Sequence, residues 1–144
     1  MRLVPVEASA GSGPPSIVID VVAAVIERDG RLLVTRRTAG SHLEGLWEFP
    51  GGKVQPGESR EDALAREIRE ELAVSVTVGP LVLDTLHRYD DRTVWLFFYA
   101  CGLIGSPSAV LGQEMRWVER RSLGTLDFPA ADAELIRILA AQDG

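Results

Sequence analysis

Residues 52–74 constrain this chain more than any other stretch. Gly52-Lys-Val-Gln-Pro-Gly57-Glu58 is a loop punctuated by glycine and proline. Ser59 follows as an N-cap, with Glu61 and Asp62 in the first turn of a helix expected to run to about Ala73. At about 100° per residue, Glu67, Glu70 and Glu71 fall within roughly 100° of one another. Leu64, Ile68 and Leu72 form the apolar stripe beside them. The acids therefore flank the core-facing side of the helix and do not lie opposite it. Like charges at this spacing destabilise an isolated helix by a few tenths of a kcal/mol per pair, and by more where solvent is excluded. A divalent cation removes that repulsion. Carboxylate oxygens in this number suit Mg²⁺ or Mn²⁺, and Mg²⁺ so held takes substrate phosphates as further ligands. Acidic helix residues are common and alone would say little. The glycine-rich loop and the spacing of Glu58 and Arg66 turn the reading toward a site.

Around this segment the pattern is mostly β. Residues 17–27 read as a strand, Asp29-Gly30 as a hairpin turn and residues 31–37 as the returning strand. Residues 38–46 form a polar loop, and Trp47-Glu48-Phe49 is a short strand ended by Pro50-Gly51-Gly52. After the helix, residues 75–89 and 92–103 are strands joined at Asp90-Asp91, residues 115–119 a short strand and residues 130–141 a helix. In the second of these strands Trp95, Phe97 and Tyr99 share one face, while Val94, Leu96 and Phe98 share the other. Apolar residues on both faces mark a central strand covered on both sides. The order β-β-β-α-β-β-β-α predicts an α+β fold with a mixed β-sheet between helices. Residues 1–16, with Gly11, Gly13, Pro14 and Pro15, read as a flexible lead-in. One domain over residues 17–144 remains.

A net charge of −6 disfavours gripping a nucleic-acid polymer, which needs a basic face. The single cysteine, Cys101, supports neither a disulfide framework nor a zinc cluster. No segment reads as a signal peptide or a membrane span, so a cytoplasmic protein is expected.

Gly52, Glu58, Arg66, Glu67, Ile68, Glu70, Glu71 and Val74 stand at the spacing of the Nudix box, which this segment resembles. The one departure is Ala73, where the family has Gly to ease the helix end. Ala can end a helix without a left-handed residue, so a local change with intact chemistry is expected. The resemblance implies a Nudix-type α/β/α sandwich and a nucleoside triphosphate pyrophosphohydrolase using Mg²⁺, with Mn²⁺ as the alternative. It makes Glu67, Glu70 and Glu71 the metal ligands and catalytic acids, helped by the Gly51 carbonyl. Glu58 and Arg66 become the ion pair that orients loop and helix. Metals polarise phosphoryl oxygens and lower the pKa of the attacking water, and stabilising charge on the phosphate is most of the task. Glu114 matches a loop position where relatives carry a metal ligand or base; otherwise it is a surface acid.

The resemblance covers nearly all of residues 18–140 and looks like the MutT branch in Thr35-Arg36-Arg37, His42, Trp47 to Lys53, Asp91-Arg92 and Phe128 to Asp132. It implies substrate contacts from Arg37, His42, Phe49, Lys53, Arg92 and Asp132. Phe49 reads equally as a core aromatic, and His42 as a loop residue without a role. Asp132 stands where the bacterial 8-oxo-dGTP enzyme has Asn. Asn donates and accepts, whereas an ionised Asp only accepts. Guanine's Watson–Crick edge offers two adjacent donors; cytosine offers a donor beside an acceptor, which needs a protonated Asp or an Arg. Burial that raises its pKa would let Asp132 donate. Residues 22–30 also look like the cytidine-nucleotide relatives. Sanitation of oxidised guanine nucleotides, and with it a link to DNA repair, is the first expectation. CTP, dCTP or 5-methyl-dCTP, or another nucleoside diphosphate derivative, is the alternative. A binding module of this fold without turnover would lack box acids, and all three are present. Monomer and homodimer both remain open.

Overall fold

The computed structural model describes residues 3–6 and 16–142. Strand β1 (Leu3–Val6) pairs with β2 (Ser16–Arg28), which turns into β3 (Arg31–Arg36). Asp29 and Gly30 both take positive φ, 54° and 76°, as a two-residue turn matched to strand twist requires. Then come β4 (Trp47–Glu48), β5 (Gly51–Lys53) and helix α1 (Arg60–Leu72). A long hairpin of β6 (Ser75–Arg88) and β7 (Thr93–Ile104) precedes β8 (Met115–Glu119). The chain finishes with 3₁₀ turns at Arg120–Thr125 and Ala130–Asp132 and helix α2 (Ala133–Ala141).

The central strand order is β4-β3-β2-β7-β6, with β8 on β3 and both β1 and β5 on β2. The β2–β7 pair is parallel and the other pairs are antiparallel, so the sheet is mixed. β7 lies between β2 and β6 and sends alternate side chains to opposite faces, as its sequence requires. Phe97 and Tyr99 pack with Val22, Leu64, Ile68 and Leu72 under α1. Leu96 and Phe98 pack with Ala23, Val25, Leu135 and Leu139 under α2. Leu64, Ile68 and Leu72 are fully buried, each stabilising the fold by about 1.5–3 kcal/mol relative to an exposed position. The result is the α/β/α sandwich with a mixed sheet. Among the described residues, no helix is long and apolar enough to cross a membrane.

Three features depart from the sequence reading. The lead-in is not wholly outside the sheet, because Leu3–Val6 pairs with residues 16–19; residues 7–15 lie outside the described residues. Pro50-Gly51-Gly52 does not end a strand but opens β5, which pairs Gly51 with Ala23 and Lys53 with Val21. A Cβ on Gly51 would fall 1.9 Å from the Val22 carbonyl oxygen, so only glycine lets this strand approach β2. Finally, Ala73 does adopt the left-handed conformation (φ 53°, ψ 38°), its N–H bonding Arg69 O. That conformation costs a non-glycine residue roughly 1–2 kcal/mol, part of which Gly would return as unfolded-chain entropy. Ala73→Gly should therefore raise stability by about 0.5–1 kcal/mol. An unchanged or lower Tm in calorimetry would show that contacts of the Ala73 methyl outweigh the strain.

Candidate active site

Helix α1 begins where Ser59 Oγ accepts from Asp62 N–H at 3.0 Å. Its apolar stripe is pinned to the sheet, so the residues flanking it are placed by the same packing. Arg66 and Glu67 are left partly buried, with 23% and 18% of their side chains exposed, and Glu70 more open at 56%. Arg66 is the hub of the segment. It grips Glu58 through Nε (2.6 Å) and Nη2 (3.1 Å) and the Lys53 carbonyl oxygen at 3.1 Å. Its Nη1 reaches Glu67 and Glu70 at 3.2 Å each. Glu58 also accepts from Gln55 N–H at 2.9 Å. The Arg66 hydrogen bond and that backbone donor hold the Glu58 carboxyl down at about 2. One guanidinium thus ties the loop to the helix, the role expected of the pair.

Gly52 brings the loop against the acids. A Cβ there would lie 2.4 Å from the Glu67 carboxyl carbon. Gly52→Ala should push Glu67 aside and reduce turnover about 10-fold or more, in the range of losses from displaced supporting groups, with the fold retained. Wild-type turnover would mean that Glu67 need not sit where it does.

Glu67, Glu70 and Glu71 line one cavity with Gly51 and with Glu48 of β4. Burial raises the carboxyl pKa of Glu71, with the charges of Glu48 and Glu67 adding to it, and burial also raises that of Glu67. Glu48 is raised by burial too, against the pull of Arg37. Partly buried carboxylates as close together as Glu48, Glu67 and Glu71 resist losing their protons unless a cation joins them. Among the described residues, the side chains as they stand do not form a group of three acids poised around one ion; Arg66 draws Glu67 and Glu70 toward itself. The donor set of carboxylates beside a backbone carbonyl nevertheless fits a hard divalent cation.

A second cavity of about 380 Å³ adjoins the first and shares Arg37, Glu48 and Gly51 with it. All six expected substrate residues, Arg37, His42, Phe49, Lys53, Arg92 and Asp132, line it. Arg37 donates to Glu48 at 2.9 Å and to the His42 carbonyl oxygen, so it stands on the wall between the two cavities. Phe49 is the core aromatic it was also read as: it is buried, stacks on Phe128 at 5.4 Å and lines the cavity from the core side. His42 meets Tyr89 edge-on at 5.9 Å. His87 packs on Tyr89 at 4.7 Å. Arg92 Nε is buried without a hydrogen-bond partner among the described residues, a donor awaiting an acceptor. Asp132 is only 6% exposed. Burial, with the Glu48 charge adding, pushes its carboxyl up to about 7.

A largely apolar cavity with Arg37, Lys53, Arg92 and Asp132 in its lining, adjoining a pocket of acids, suits a ligand with a flat ring at one end and phosphates at the other. A NUDIX domain model matches residues 21–137. The chain belongs to the Nudix family. It is similar to the CTP pyrophosphohydrolase of Escherichia coli, 41% identical over 118 residues that cover 81% of this chain and 86% of that one. It is also similar to an 8-oxo-dGTP diphosphatase of Haemophilus influenzae, 37% identical over 124 residues covering 85% and 91%. The solution structure of the E. coli ORF135 protein matches with a TM-score of 0.77 at 38% identity, over 86% of this chain and 89% of that one. The chain is a Nudix hydrolase, and Nudix hydrolases generally need a divalent metal.

Within the Nudix site one expected residue is out of place. Glu114 does not join the acid cavity. Its carboxylate is taken by Arg36 at 3.5 Å and Arg116 at 2.8 Å, and Arg36 and Arg116 both lie over the Trp47 ring. Glu114 is therefore engaged away from the cavity in this arrangement, whereas Gln113, one residue earlier, lines it. Two further residues, Glu48 and Tyr89, line these cavities without having been singled out from the sequence. Glu48 lies between the cavities because strand alternation sends Trp47 and Phe49 into the α2-side core and turns Glu48 the other way. That alternation was visible in the sequence. Tyr89 lines the larger cavity from the β6–β7 turn, and no local pattern announced it.

Proposed function

We propose that this Nudix hydrolase cleaves a nucleoside triphosphate to the monophosphate and pyrophosphate, with Mg²⁺ as its metal and Mn²⁺ as a substitute. The observation that carries the reading is the shared wall of Arg37, Glu48 and Gly51, which joins a base-sized slot to the acid pocket. Glu67, Glu70, Glu71 and the Gly51 carbonyl would hold the cation, which polarises the phosphoryl group and acidifies water when bound. Arg66 and Glu58 keep the helix and loop in register. Arg37 and Lys53 offer positive charge to phosphate oxygens. Phe49 offers its face to the base, while Asp132 and Arg92 meet the base edge.

Oxidised guanine nucleotides are the first substrate class, in keeping with the 8-oxo-dGTP diphosphatase relative. One observation favours cytosine nucleotides as the second. A carboxyl raised to about 7 keeps a proton near neutrality, so Asp132 can donate to the acceptor next to cytosine's amine. Pyrophosphate release with Mg²⁺ across 8-oxo-dGTP, dGTP, CTP, dCTP, 5-methyl-dCTP, a dinucleoside polyphosphate and a nucleotide sugar tests both. Preference for 8-oxo-dGTP supports the first class and preference for cytosine nucleotides the second. Turnover of only the last two substrates would sink the triphosphate reading.

A further inference from the structure

We infer that Gln113 is a positioning residue for the metal site, holding the turn of α1 that carries Glu70 and Glu71; this rests on the metal reading above. The last turn of a helix leaves backbone carbonyls without intrahelical partners. In α1 the Ala73 N–H serves Arg69 O, and the carbonyls of Glu71 and Leu72 are served from outside the helix. Ser108 N–H donates to Leu72 O at 2.8 Å, and Val110 N–H to Glu71 O at a long 3.4 Å. The firmer bond to Glu71 O comes from the Gln113 side chain, whose Nε2 donates at 3.0 Å. The Oε1 of the same carboxamide accepts from Leu111 N–H at 2.9 Å.

Gln113 is itself fixed from behind. The next residue's carbonyl, Glu114 O, accepts from Arg36 N–H at 2.9 Å, and Met115 opens β8 in register with Thr35 of β3. A continuous path therefore runs from the sheet through one carboxamide to the peptide of Glu71. Gln113 and Leu111 border the cavity that holds Glu67, Glu70 and Glu71. Both ends of the carboxamide are in use, one as donor and one as acceptor. Gln meets that demand, whereas Met fills the same space with no donor, and Glu keeps the acceptor but sets a carboxylate against the Glu71 carbonyl. Groups that orient ligands without touching the ion tune its affinity. Gln113 acts through the backbone of Glu71, so its effect should fall on metal binding and leave nucleotide affinity alone.

The test is Mn²⁺ titration of the full chain without nucleotide, together with Mg²⁺ activation of triphosphate turnover, for wild type, Gln113→Met, Gln113→Glu and Glu71→Gln. Both Gln113 variants are measured so that a folding failure in one leaves the other to decide. The expected result is that Mn²⁺ binding weakens about 5- to 10-fold and half-maximal Mg²⁺ activation moves up by a similar factor. The KM for nucleotide should stay within about twofold, with kcat largely restored at saturating Mg²⁺. A lowered Tm with unaltered Mn²⁺ affinity and Mg²⁺ activation would overturn the inference, leaving Gln113 a stabilising loop residue. Glu71→Gln separates the two levels. If it loses Mn²⁺ binding while the Gln113 variants do not, the metal reading stands and the Gln113 role fails. If it binds Mn²⁺ like wild type, both fall.

Discussion

Glu71→Gln is expected to lower kcat by about 10³-fold under saturating Mg²⁺, a loss near 4 kcal/mol of transition-state stabilisation. Gln keeps the shape and size of Glu but cannot carry the charge a hard cation needs. Glu71 belongs to the half-buried flank of α1, beside the fully buried Leu72 and within reach of the Glu48 and Glu67 charges. Its surroundings disfavour an unpaired carboxylate, and a cation bound beside it would make the charge tolerable there. The fold should survive, because Leu64, Ile68 and Leu72 anchor the helix. A second readout follows from linkage: an ion that binds only the folded state raises Tm with its concentration. Wild type should show that rise with Mg²⁺ or Mn²⁺, and Glu71→Gln should lose most of it. Near-normal turnover in Glu71→Gln, or an identical metal-dependent rise in Tm, would remove the basis of the ligand assignment.

Asp132→Asn should act on both stability and base choice. In the folded state burial raises the Asp132 carboxyl from its usual 3.8 to about 7. The groups facing it include Glu48 across the cavity and Tyr89 and Arg92 on the β6–β7 turn. Between about pH 4 and pH 7 the folded chain therefore holds a proton that the unfolded chain has released. Stability falls as pH rises through that window and levels off above it. Asn carries no such penalty. Relative to wild type, Asp132→Asn should be nearly neutral at pH 4 and more stable by about 2–4 kcal/mol at pH 8. That corresponds to a Tm gain of roughly 5 °C or more. A Tm difference that does not grow with pH would show that Asp132 is ionised in the folded state at neutrality.

The same substitution separates the substrate classes. Asn presents a fixed donor and acceptor at every pH, whereas Asp132 donates only while protonated. If cytosine nucleotides need that donated proton, wild-type kcat/KM for CTP should decline above about pH 7, and the decline should vanish in Asp132→Asn. Base preference should shift by about 10-fold or more, since one buried hydrogen bond made or left unmade is worth about 1–3 kcal/mol. Unchanged ratios across a nucleotide panel would show that Asp132 does not read the base.

What the sequence alone determined about this protein is what local periodicity and motif spacing can determine. The faces of α1 follow from 3.6 residues per turn, so Glu67, Glu70 and Glu71 had to flank Leu64, Ile68 and Leu72 wherever the helix packed. The Ser59 cap, the Asp29-Gly30 turn and the two-faced pattern of β7 follow from equally local chemistry. The family likeness then carried Arg37, His42, Phe49, Lys53, Arg92 and Asp132 to one cavity. Tertiary structure decided everything that depends on pairing distant segments. The β3–β8 register sets Thr35 opposite Met115; Glu114 is held by Arg36 and Arg116, and Gln113 faces the acids. The approach of β5 to β2 made a strand of Gly51–Lys53, which its glycines had disguised as a turn. Ala73 is left-handed because the chain must leave α1 and enter β6 within two residues, whatever its local preference. The proton on Asp132 depends on burial, and burial is a property of the surroundings that no single segment encodes.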